Sequence, residues 1–234
     1  MKKLFAIIII VGLALPAVAQ ISPYLEKGKS GFGLNLGYEQ GRSFKGYLAN
    51  LGYSYKGVLD LEANFYTDAY DKDAEGLLLD NAGSKGLMVC LNWWPIRKQA
   101  TPTIGVDFGL TMGINTFAFS KYSYLSSGTG LSTDYKGYLD GLVGFDSRVK
   151  FQLEDGWALM PGYALVFDMG TEKYSDANGE FSNTYDGFMS RISVSLSKRL
   201  AKGNVVYFEA NNYIDTFDAN SYFEVKVGFV LSSK

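Results

Sequence analysis

The 234-residue sequence predicts an all-β chain: an antiparallel up-and-down transmembrane β-barrel of ten strands, or eight if short candidates merge, preceded by a cleaved signal peptide. Three observations carry this expectation. Apolar residues recur at every second position through most of the chain after residue 30, the links between those segments alternate between short and long, and tryptophans gather at strand ends.

The N-terminus reads "MKKLFAIIIIVGLALPAVAQ", with Lys2 and Lys3, an apolar run, and Ala17 and Ala19 flanking Val18. That is the pattern of a cleaved secretory signal over 1–19, with Ala19 the expected last residue removed and export through the Sec route implied. Residues 20–234 then form one domain with 20 basic against 24 acidic residues, a net charge of −4. Such a balance offers no basic face for nucleic acid. Every later apolar stretch is broken by Asp, Glu, Lys, Gly or Asn, so entry into a membrane would have to be made by strands. The single Cys90 has no internal disulfide partner and reads as a small apolar filler.

Side chains alternate across a strand, which makes each segment two-faced. The first strand, about 31–39, sets Phe32, Leu34, Leu36 and Tyr38 against Gly33, Asn35, Gly37 and Glu39. The second carries Tyr47, Ala49, Leu51, Tyr53 and Tyr55; the third sets Leu59, Leu61, Ala63 and Phe65 against Asp60, Glu62 and Asn64; the fourth has Leu87, Val89, Leu91 and Trp93. The fifth, "IGVDFGLTMGI" over 104–114, is apolar at each even-numbered position and small or polar between. Its 11 residues match the length needed to cross a bilayer at a tilt. The sixth has Leu139, Val143, Phe145, Val149 and Phe151 against Asp140, Gly144, Asp146, Arg148 and Lys150, and the seventh, 157–169, is apolar on both faces. Pro161 lies inside it and cannot donate to a ladder, so a bulge or a later start is expected there. The eighth sets Phe188, Ile192, Val194 and Leu196 against Arg191 and three serines. The ninth has Val206, Phe208 and Ala210 against Glu209, and the tenth has Phe223, Val225, Val227, Phe229 and Leu231 against Glu224 and Lys226.

Links after the second, sixth and eighth strands are tight ("YKG", "LEDG", "AKGN"), whereas those after the third, fifth and seventh are long and polar. An up-and-down barrel gathers odd links at one end and even links at the other, giving one long-loop end and one short-turn end. Tyr53, Tyr55, Trp93, Trp94 and Trp157 fall at the short-turn end, as interface aromatics of a membrane girdle would. In a barrel the polar faces turn inward, so Asp60, Glu62, Asp107, Asp140, Asp146, Arg148, Lys150, Arg191, Glu209, Glu224 and Lys226 are the expected interior charges. Their mixed signs suit mutual pairing, because an unpaired buried charge is heavily penalised.

The signal, the opening strand "SGFGLNLGYEQG", the glycine-and-aromatic alternation and the closing "SYFEVKVGFVLSS" resemble the small bacterial outer-membrane β-barrel proteins, the broad OmpA-barrel and PorT-like group. The resemblance implies a bacterial outer-membrane location, lipid and the barrel-assembly machinery as partners, and a monomer. It carries over no site residue. Ten strands also look like the omptin proteases, but the chain has no histidine, which the barrel proteases, phospholipases, deacylases and acyltransferases of such families use. Carboxylate chemistry at Asp60 and Glu62 is less economical than an ion-paired wall. "DKDAEG" at 71–76 resembles the start of a calcium loop, but position twelve is Ala82 rather than a bidentate Glu. No catalytic residue, cofactor or metal is therefore expected. The expected function is a non-enzymatic outer-membrane barrel, structural or interacting through long extracellular loops, with Tyr122, Tyr124, Tyr135, Tyr174 and Tyr185 as the loop aromatics. The alternatives are a narrow channel for small solutes and a soluble periplasmic or secreted β-barrel or sandwich that binds a ligand.

Overall fold

The computed structural model describes residues 20–42, 44–70, 77–125, 132–176, 178–215 and 221–233. The strands are β1 (Ser30–Gln40), β2 (Phe44–Tyr55), β3 (Leu59–Tyr70), β4 (Leu77–Gln99), β5 (Ile104–Leu125), β6 (Ser132–Gln152), β7 (Trp157–Asp176), β8 (Gly179–Arg199), β9 (Val205–Asp215) and β10 (Ser221–Ser233). Each pairs antiparallel with the next, and β10 closes on β1, giving a ten-strand barrel without a free edge. Eight strands and an open sandwich are both excluded by this closure.

Alternation sets the two faces. On β5, Val106, Leu110, Met112 and Ile114 project outward and are exposed, whereas Asp107 and Thr111 are buried inside. Register carries the same division around the wall, with Leu34 beside Leu51 on β2 and Phe229 on β10. The outer surface is therefore a continuous apolar belt that includes Leu36, Leu61, Ile114, Leu139, Met169 and Val227. Leaving each such side chain in water forfeits roughly 1.5–3 kcal/mol relative to an apolar neighbour.

Three tight turns share one device. Lys56 and Gly57, Asp155 and Gly156, and Lys202 and Gly203 all have positive φ, the left-handed pair that matches the twist of flanking strands. At the opposite end the structure corrects the expectation of long loops. The polar stretches after β3, β5 and β7 are mostly strand: β4 begins at Leu77, β5 runs to Leu125, β6 begins at Ser132, β7 runs to Asp176 and β8 begins at Gly179. Hairpins that rise clear of the belt have no apolar neighbour on either face, so they keep the ladder while losing the alternation that reveals a strand. "DKDAEG" at 71–76 lies outside the described residues.

Pro161 also departs from expectation. It sits inside β7 facing Val194 of β8, and neither a bulge nor a late start marks it. Pairing with β6 lapses between Gly162 and Leu159 and resumes in the same register, so the missing N–H costs rungs without shifting the register.

Candidate functional site

The barrel's own N-terminal segment fills its lumen. Ser22–Tyr24 forms one 3-10 turn, and residues 20–25 are all buried inside the short-turn half. Sequence reading missed this stopper, because "QISPYL" shows neither alternation nor helical spacing.

Two of the expected interior carboxylates hold it. Asp60 accepts the Ser22 backbone N–H at 2.9 Å and the Ser22 hydroxyl, together with the Trp94 indole N–H at 3.1 Å. Glu62 Oε1 accepts the Ile21 N–H at 3.2 Å. Apolar contacts complete the fit. Side chains at Gly33 and Gly52 would place Cβ atoms 2.7 Å from Ile21 carbons, so these two glycines form the recess for Ile21. Tyr24 stacks on Tyr207 with ring centroids 3.9 Å apart.

Above the stopper, strands β6, β8, β9 and β10 contribute one ion network. Glu209 Oε2 receives the Tyr24 hydroxyl at 2.6 Å and Arg148 Nη1 at 2.9 Å, and its Oε1 lies 3.1 Å from Lys226 Nζ. Lys226 also pairs with Glu224 at 3.0 Å. Arg148 donates to Asp146 at 3.2 Å and to the Gln20 side chain at 3.0 Å, and Arg191 pairs with the other oxygen of Asp146. Every cation thus faces carboxylates, the condition under which buried charges are tolerated. Asn35, Asn50 and Asn64 form a hydrogen-bonded ladder along the neighbouring wall.

The hairpin end of the lumen is closed by aromatics. Leu48, Tyr66, Phe117 and Tyr138 pack together, with Phe119 and Tyr185 against them. Tyr66 donates to Asn115 at 2.5 Å, Asn115 donates to Asp140 at 3.2 Å, and the Tyr185 hydroxyl also reaches Asp140. Tyr185 is therefore turned down into the mouth, whereas Tyr174 stacks on the exposed Phe181 of the β7–β8 hairpin at 5.6 Å. The side chains of Tyr122, Tyr124 and Tyr135 lie outside the described residues.

Asp107 pairs with Arg97 at 3.2 Å, and Lys150 donates to the Pro23 carbonyl at 3.2 Å. Glu39, Asp68, Asp168 and Glu172 are further buried carboxylates that the strand pattern understated, since the last three fall in segments read as loop or as two-sided apolar strand. Among the interface aromatics, Tyr55, Trp93 and Trp157 are exposed on the outer face, and Tyr53 is half-buried there against Phe32. Trp94 is corrected: it is fully buried in the lumen beside Asp60. Consecutive residues of a strand occupy opposite faces, so Trp93 and Trp94 cannot share a girdle. A bulge between Trp93 and Ile96 then shifts the register and turns Arg97 inward to meet Asp107.

The described interior offers an internal cavity of about 30 Å³ beside Gln20 and Arg191, room for roughly one water. Among the described residues, no group of three Cys, Asp or Glu is placed to hold a metal ion.

No protein-family model and no curated protein sequence matches the chain. Solved structures do. The chain is similar to the translocator domain of the autotransporter NalP from Neisseria meningitidis, at 12% identity over 88% of each chain with a TM-score of 0.50. It also overlaps the β domain of the Bordetella autotransporter BrkA, at 14% identity over 88% of this chain and 99% of that one, TM-score 0.49. The outer membrane protease OmpT from Escherichia coli overlaps at 10% identity over 89% and 96%, TM-score 0.42. At such identities the likeness is one of architecture, and with the closed antiparallel wall it gives this chain the fold of an outer-membrane β-barrel.

Proposed function

We propose that the protein is a non-enzymatic outer-membrane β-barrel, stoppered by its own N-terminal segment, that acts as a structural element or through contacts at its hairpin end. In this reading residues 1–19 are the cleaved signal, residues 20–234 are the barrel domain, and the barrel-assembly machinery inserts the chain as a monomer. Its strand pattern favours the OmpA-barrel and PorT-like group.

The observation that carries the proposal is the pairing of an apolar outer belt with a lumen packed by residues 20–25, the Glu209 network and the aromatic mouth. The belt argues against a ligand-binding barrel in water, where so large an apolar surface would drive association. The packed lumen argues against a channel, which needs a continuous water path. The absence of histidine and the pairing of Asp60 and Glu62 with backbone N–H groups argue against hydrolytic chemistry. The half-buried Tyr174 stacked on the exposed Phe181 is the apolar feature of the β7–β8 hairpin that a partner would meet.

The test is expression in a Gram-negative host, followed by gel mobility of the outer-membrane fraction with and without boiling and by bilayer conductance. A heat-shifted membrane band without conductance supports the proposal. A soluble unshifted band, or steady conductance, overturns it.

A further inference from the structure

At the short-turn mouth, where the stopper leaves the lumen, lies an open cleft of about 440 Å³, within the size range of small-ligand sites. Its charges do not balance. The cleft carries the carboxylates of Glu26 and Asp107, and both are engaged: Arg199 pairs with Glu26, and Arg97 lies 3.2 Å from Asp107. Arg97 also donates to the carbonyls of Gly57 at 2.5 Å and Leu25 at 2.9 Å. Lys27 and Lys150 are left without a carboxylate among the described residues lining the cleft, whereas Lys98 pairs with the outward Val106 and takes the outer face.

Lys150 is the more constrained of the two. It is half-buried, and its position on β6 is paired with Gly105 on β5, which leaves the adjacent cross-strand place without a side chain. An ammonium has three donors, and among the described residues the only acceptor Lys150 reaches is the Pro23 carbonyl. Arg97 and Arg199 act on it as like charges, against Asp107 and Glu26 as opposite ones. An anion in the cleft would relieve that repulsion and supply the missing acceptors.

The geometry points to an anion-binding site centred on Lys150, with Lys27 beside it, that takes a phosphate-bearing group. Several negatively charged oxygens on one centre suit ammonium groups approaching from different directions. The group has two sources, a phosphorylated solute or a phospholipid headgroup. The site is a local arrangement of charges and stands whether or not the proposed function does.

The experiment uses the mature chain refolded in zwitterionic detergent, with the heat-shifted gel band as the check of folding. Inorganic pyrophosphate is titrated by calorimetry, and phosphatidylglycerol retained from mixed vesicles is measured by native mass spectrometry. The expected result is one saturable pyrophosphate site, weakened about tenfold in Lys150→Gln and weakened in the same direction in Lys27→Gln, which lies on an exposed segment. Lys45→Gln, at the hairpin end, should bind as the parent does. Retention of phosphatidylglycerol without pyrophosphate binding, lost in Lys150→Gln, would assign the headgroup as the source. Binding of neither probe, or equal loss in Lys45→Gln and Lys150→Gln, would overturn the proposal.

Discussion

Asp60→Ala should loosen the stopper. Asp60 accepts two hydrogen bonds from Ser22, one from the backbone N–H at 2.9 Å and one from the hydroxyl. A hydrogen bond to a charged group contributes about 1.5–3 kcal/mol, so removing both weakens the seat by roughly 3–6 kcal/mol. That corresponds to about 10²- to 10⁴-fold more of the released state. Ile21 in its glycine recess and Tyr24 on Tyr207 still hold, so release remains transient and the assay must report rare opening. Pro23→Cys in a Cys90→Ala background places a thiol at a buried stopper position, and maleimide labelling then follows the open population. The labelling rate should rise by those two to four decades in Asp60→Ala and much less in Asp60→Asn, which keeps an acceptor. An unchanged rate in a barrel that still shows the heat shift would refute the assignment of Asp60 as the anchor.

Gly33→Leu should expel Ile21 from its recess, since a Cβ there would lie 2.7 Å from Ile21 Cγ1; with roughly 1.5–3 kcal/mol of burial lost, the same labelling should rise about 10- to 100-fold. Arg148→Met leaves Asp146 and Glu209 short of their shared cation and should lower unfolding stability in urea by about 3–5 kcal/mol, whereas equal midpoints would contradict the network. Gly57→Ala meets a backbone at φ 61° and places a Cβ 2.7 Å from Arg97 Nη1, so it should cost upwards of about 1 kcal/mol and slow refolding of the β2–β3 hairpin.

The wall was legible because one physical contrast runs along it. Ile114 outside and Asp107 inside differ in polarity, and the period of two reports that difference wherever the belt is apolar. Where the contrast fails, so does the reading. Glu172 and Asp68 lie on strands that continue past the belt, and their segments look like loops because water or polar wall is on both sides. The stopper was illegible for another reason: Ile21, Ser22 and Tyr24 are held by residues far along the chain, among them Asp60 and Glu209. Gly33 and Gly52 were a trace of it, since both empty a place on the inner wall near Glu62. Trp94 could have been assigned from the sequence, because its neighbour Trp93 already occupied the outer face.

That adjacent pair tests most directly whether the outer face meets lipid while the inner face is a packed lumen. Variants retaining one tryptophan each, Trp93 or Trp94, are reconstituted in bilayers of brominated lipid and their fluorescence quenching is measured. Strong quenching is expected of Trp93, which is 51% exposed on the belt, and little of Trp94, which is 0% exposed beside Asp60. Equal quenching of the two, or quenching of neither, would contradict it.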